Sequence, residues 1–134
     1  NGNNPDDNDD NNDDTPVSNN LKITIGPVSF NATLDNNETA KAFKRLLPMT
    51  VDMSELHGNE KYYYLSNGLP TASSNPGTIR TGDLMLYGST CVVLFYETFS
   101  TSYTYTRLGR ITNPSGLASA LGSGGVNVTF EITD

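Results

Sequence analysis

His57 and Cys91 are the one histidine and the one cysteine of the chain, and they bound the chemistry it can carry. A Ser/His/Asp hydrolase would need His57 as general base beside a nucleophile on a strained turn, and no G-x-S-x-G occurs. His57-Gly58-Asn59 reads instead as a turn between two strands. A metal site fails on similar grounds: one His and one isolated Cys make no ligand pair, and neither H-E-x-x-H nor C-x-x-C is present. Cys91 opens the apolar run Cys-Val-Val-Leu-Phe, where its thiol is expected to be buried in a strand. Gly122-Ser-Gly-Gly125 follows a helical pattern and precedes a strand, the reverse of a phosphate cradle, and reads as a helix stop and turn. The expectation is of no catalytic set, no metal and no cofactor.

The aromatic residues carry more. Tyr62 and Tyr64 share one strand face by parity, and Tyr103, Tyr105 and Arg107 share another. If these faces meet, their phenols, with Glu60 and with Arg107 or Arg110, could hold a small polar molecule or a peptide at a barrel opening, through stacking and charge-assisted hydrogen bonds. Tyrosine is also an ordinary residue of half-exposed strands, so spacing alone does not separate site from scaffold.

Charge is distributed unevenly. Residues 1–14 hold six Asp, six Asn, one Gly and one Pro with no Lys or Arg, so nearly all of the formal charge of −7 lies in this leader. The rest has nine acids against eight bases. Such a balance gives no electrostatic footprint for nucleic acid and no basic face for anionic lipid. The leader has almost no apolar surface to offset ordering entropy and is expected to be a disordered tether over residues 1–20. Asp6-Asp7-Asn8-Asp9-Asp10 starts like a calcium loop, but Asn11 stands where a Gly is needed and Val17 where a bidentate Glu is needed. The leader resembles the spacer that follows the lipid-modified cysteine of bacterial surface lipoproteins. That likeness implies a lipid anchor upstream of Asn1 and a place at the bacterial cell envelope, in the periplasm or on the cell surface. No run of about 18 apolar residues is present, so no membrane-spanning segment is expected.

The elements that must position the tyrosines follow from periodicity. Leu21, Ile23 and Ile25, then Val28, Phe30, Ala32 and Leu34, alternate with polar residues about Gly26-Pro27 and predict a hairpin. Asn36 or Asn37 caps a short helix with Ala40, Phe43 and Leu47 on one side, and Pro48 closes it. Met49, Val51 and Met53 mark a third strand and Tyr62 to Leu65 a fourth. Ser66 to Gly77 has no period and reads as a long surface loop. Leu84 to Tyr87, Cys91 to Tyr96, Tyr103 to Ile111 and Val126 to Ile132 supply four more strands. Between the last two, Asn113 is expected to cap a helix through Leu117, Ala118 and Leu121, ending at Gly122. About eight strands of this length favour a closed antiparallel barrel over residues 21–134, with a two-layer sandwich as the rival.

Met53-Ser-Glu-Leu-His-Gly-Asn-Glu-Lys-Tyr-Tyr-Tyr-Leu65, Leu69-Pro-Thr, Pro76-Gly-Thr-Ile and Gly82-Asp-Leu-Met-Leu-Tyr-Gly88 resemble a bacterial family of cyclophilin-like domains. Phe99 to Ile111 and Gly116 to Gly122 are similar to its later segments. The resemblance implies an eight-stranded barrel with helices at its ends, and it supplies no activity, because fold analogy does not carry chemistry. True cyclophilin isomerases line their proline pocket with an arginine and a Phe-x-Met-Gln-Gly-Gly type segment. That segment does not occur here, and Arg80, Arg107 and Arg110 lie in no matching motif. The leading expectation is an envelope-tethered binding or interaction module. The alternatives are a cyclophilin-like prolyl isomerase and a structural spacer in an envelope assembly.

Overall fold

A computed structural model of the chain describes residues 17–134. The first sixteen residues of the expected tether, and the calcium-like run within them, lie outside the described residues. Eight strands close an antiparallel barrel in the order β1 (Asn20–Ile25), β10 (Val126–Thr133), β3 (Met49–Leu56), β4 (Glu60–Tyr64), β7 (Cys91–Phe95), β6 (Asp83–Tyr87), β9 (Thr106–Ile111) and β2 (Val28–Leu34). Closure, expected over a sandwich, leaves no strand edge of the wall unpaired. Asn20 opens β1, the Asn19 carbonyl accepts from Leu34 N–H, and Ser18 Oγ donates to the Thr133 carbonyl.

The interior is filled by the alternating residues the pattern picked out: Leu21, Ile23, Phe30, Ala32, Val51, Leu84, Leu94 and Phe130 among them. Their registers agree across the wall, as in Ile23 opposite both Phe130 and Phe30. Helix α1 (Glu38–Lys44) runs between β2 and β3, and α2 (Leu117–Leu121) between β9 and β10. Because β2 and β9 are antiparallel neighbours, the two helices sit at opposite ends of the barrel. Ala40 and Phe43 from one, and Leu117 and Leu121 from the other, join the same core, and Phe43 meets Phe130 edge to face at 5.8 Å.

Asn37 is the α1 cap, its Oδ1 accepting from Ala40 N–H at 2.7 Å. The expected cap of α2 is corrected. Asn113 accepts from Ser115 N–H in a local turn, and Gly116, at φ 83, occupies the cap position. Proline in the stretch just before the helix had suggested a start too early. Two strands were not foreseen: β5 (Thr78–Ile79) and β8 (Phe99–Ser100), which pair with each other outside the barrel. Two-residue strands have no period to detect. Tyr103 and Tyr105 precede β9 rather than opening it, Tyr105 being bridged to Ser74 of the long loop.

The short sheet explains why β7 is apolar at every position. Val92 and Leu94 face the interior, whereas Cys91, Val93 and Phe95 face outward into a second cluster with Ile79, Met85 and Tyr105. Phe95 packs on Phe99 of β8 at 5.7 Å and on Tyr105 at 5.5 Å. One stretch of barrel wall is thus buried on both sides.

Candidate functional site

The outward positions of β4, β7, β6 and β9 form one continuous surface. Strand pairing sets Glu60 opposite Phe95, Tyr62 opposite Val93, Tyr64 opposite Cys91, Tyr87 opposite Cys91 and Met85 opposite Arg107. Directly opposed residues share a face, so parity carries Glu60, Tyr62 and Tyr64 to the outside and leaves Lys61 and Tyr63 inside. The β5–β8 pair covers part of this wall, and clefts lie beside it.

The larger cleft has a volume of about 340 Å³ and takes Glu60, Tyr62 and Tyr64 from β4, Tyr87 from β6, and Tyr103 and Tyr105 from the connection into β9. Cys91 and Val93 form its floor, and Leu56 and His57 its end. Tyr62 and Tyr64 stand edge to face at 5.6 Å, and Tyr87 meets Tyr103 at 6.1 Å and Tyr105 at 5.5 Å. Tyr64 and Tyr103 remain mostly exposed, whereas Tyr105 is buried. Five of the seven candidates are therefore in one place, on the outer wall. Glu60, Tyr62 and Tyr64 stand on the outward face of the wall, paired with Phe95, Val93 and Cys91 rather than with the interior-facing Val92 and Leu94. His57 takes φ 57 in the β3–β4 turn.

The ionisation of the cleft follows from burial. Desolvation raises the Glu60 carboxyl above its ordinary 4.5, His57 opposing this and Glu55 adding to it. Desolvation, with the charge of Glu60, pushes the Cys91 thiol up to about 11, offset in part by the Tyr64 hydroxyl. Such a thiol stays protonated at neutral pH and is a poor nucleophile. Burial likewise raises Tyr105.

Arg107 and Arg110, the other two candidates, line an adjoining cleft of about 320 Å³ with Arg80 and Asp83, and Tyr105 borders both clefts. Residues three apart on a regular strand face opposite sides. A β-bulge, where Leu84 opposes Gly109 but Met85 opposes Arg107, resets the alternation so that both arginines point outward. They converge on buried Asp83, whose Oδ1 lies 3.5 Å from Arg110 Nε and 3.8 Å from Arg107 Nη2, while its Oδ2 accepts from Arg80 N–H. Arg107 Nε also reaches Asp35 at 3.2 Å.

A model of the cyclophilin-like family matches residues 23–131, nearly the whole barrel. The chain belongs to the cyclophilin-like family. Among solved structures it is similar to a hypothetical protein of Archaeoglobus fulgidus determined in solution. That likeness has 21% identity and a TM-score of 0.63, and covers 87% of this chain and 96% of the other. It bears on the fold alone. No curated protein matches the sequence.

One polar cluster of this cyclophilin-like domain was not singled out in the sequence. Lys61, wholly buried, donates through Nζ to Glu55 Oε1 at 2.8 Å and to the carbonyls of Gly122 and Gly124 at 2.8 and 2.6 Å. Tyr96 donates its hydroxyl to the same Glu55 oxygen at 2.8 Å, with its ring 5.3 Å from the ammonium. Burial raises the Glu55 carboxyl, but hydrogen bonds from Lys61, Tyr96 and Gly58 N–H outweigh it and the net shift is downward. Burial and the bond to Glu55 push Tyr96 up to about 12. The cluster ties the segment after α2 to the barrel end. The only signal for it was a lysine at an inward parity position of β4.

Among the described residues, no three His, Cys, Asp or Glu are grouped to hold a metal, and no helix is long and apolar enough to cross a membrane.

Proposed function

We propose that this domain is a binding module that takes a small molecule or a peptide side chain in the tyrosine cleft of its outer wall. The observation that carries the reading is convergence. Three separate chain segments bring five tyrosines to one concavity, while the sheet β5–β8 covers the neighbouring wall and leaves this part open. A volume of about 340 Å³ lies within the range of small-ligand pockets. Apolar floor, aromatic sides and few polar groups are the usual make-up of such pockets. We further propose that the Asn/Asp-rich leader tethers the module at a bacterial envelope. Its composition, six Asp and six Asn in fourteen residues, supports this, and labelling of the full precursor with a fatty-acid analogue tests it.

A thermal-shift screen of small molecules and short peptides, followed by titration of the hits, tests the binding reading. Tyr64 is 65% exposed, so Tyr64→Ala should leave the fold intact. Loss of one aromatic wall is expected to weaken a cleft ligand by up to about tenfold. If Tyr64→Ala leaves every detected dissociation constant unchanged, the cleft is not the site.

A further inference from the structure

The other half-buried or buried carboxylates near this wall have donors. Asp83 has the Arg80 N–H and two guanidinium groups. Glu55 has Lys61, Tyr96 and the Gly58 N–H. Glu60 differs: among the described residues its carboxylate makes no hydrogen bond and no ion pair, and it faces the open tyrosine cleft. The lining of that cleft contains no lysine and no arginine, and His57 at its end is the one basic side chain.

We propose that the tyrosine cleft selects an organic cation, an alkylated ammonium group, with Glu60 as its counter-charge and the tyrosine rings as its walls. The proposal rests on the cleft being the binding site and goes on to name the charge of the occupant. Ring faces carry negative electrostatic potential and attract a cation within about 6 Å of their centroids, most strongly where water is excluded. Tyr62, Tyr64, Tyr87, Tyr103 and Tyr105 surround the concavity from more than one side, as an aromatic cage does. Burial disfavours the charged form of Glu60, and a cation seated beside it relieves that cost. Alkylation matters because a weakly hydrated cation gives up less water on entering such a cleft. Arg80, Arg107 and Arg110 in the adjoining cleft repel a cation there, so the charge of the ligand is directed to the tyrosine side.

The test uses the full chain and three probes: choline, its neutral analogue with carbon in place of the quaternary nitrogen, and inorganic phosphate. Each is titrated while the tyrosine ring resonances are followed by NMR. Choline should shift the cleft rings and bind about tenfold more tightly than the neutral analogue. Glu60→Gln should weaken choline by about tenfold and leave the neutral analogue unchanged. Equal affinity of the two analogues, indifference of choline to Glu60→Gln, or cleft rings that choline does not move would each overturn the cation assignment. If phosphate, the neutral analogue or a screening hit still moves those rings, the binding site stands and only the cation falls. If nothing moves them, both readings fall.

Discussion

Glu60 and Lys61 are adjacent in sequence, and strand alternation sends them to opposite environments. Lys61 points inward and is answered by one carboxylate and two carbonyls, while Glu60 points outward into an aromatic cleft. Their pH consequences differ accordingly. The folded state raises the Glu60 carboxyl, so it favours the protonated form. The stability tied to that form is complete below the ordinary value of 4.5 and is lost as pH rises through the higher folded value. Glu60→Gln removes this loss. Denaturant unfolding should find the variant more stable than the parent at neutral pH, with the difference closing as pH falls below 4.5. A parent as stable as the variant at neutral pH would mean that Glu60 is solvated. Glu55 works in the opposite sense: its lowered carboxyl confers stability above the ordinary range that is lost on acidification, in parent and variant alike. Glu60 was legible in sequence as a charge near tyrosines, whereas the role of Lys61 depended on carbonyls sixty residues away and was not.

At the scale of elements, the seam between β2 and β9 depends on a single glycine, which also sits at the β6–β9 bulge. Gly109 allows the two strands to approach: a Cβ built there would collide with the Thr33 carbonyl oxygen and lie 3.0 Å from Leu34 Cα, both backbone atoms that cannot swing aside. Gly109→Ala is therefore expected to destabilise the domain by about 3 kcal/mol, read from urea unfolding at constant slope. It should also loosen the bulge that aims Arg107 and Arg110 at Asp83. An unchanged midpoint would mean that the seam relaxes freely. The elements with several alternating residues, β1, β2, β3 and β10, were plain from their period, and so was α1 from its cap. The bulge, the pair β5–β8 and the start of β9 were not, because each depends on pairing with chain far away in sequence. Ile79 and Phe99, isolated apolar residues in polar connections, were the available sign that something outside the barrel had to be covered.

For the whole molecule, closing the barrel bears on where the proposed ligand would sit. A small closed barrel is packed with its own side chains, and here two helices add to that packing at opposite ends. The segments between β4 and β6 and between β7 and β9 cross the outer wall and shape its clefts, where binding is proposed. Parity in the sequence could say that Tyr62 and Tyr64 share a face. It could not say which face is outward, since a strand buried on both sides, like β7, gives no contrast between them. Family membership supported the barrel and left the site open.

The seven tyrosines supply their own controls for this account. Tyr62, Tyr64, Tyr87, Tyr103 and Tyr105 line the outer cleft, Tyr63 packs against the interior core, and Tyr96 is bonded to Glu55 at the barrel end. Tyrosine-ring NMR of the labelled chain, recorded with and without a hit from the binding screen, reads all seven at once. A ligand seated in the outer cleft is expected to shift the five cleft rings and leave Tyr63 and Tyr96 unmoved. Shifts confined to Tyr63 and Tyr96, with the other five unmoved, would place the ligand at the interior or end of the barrel and contradict the outer-cleft site.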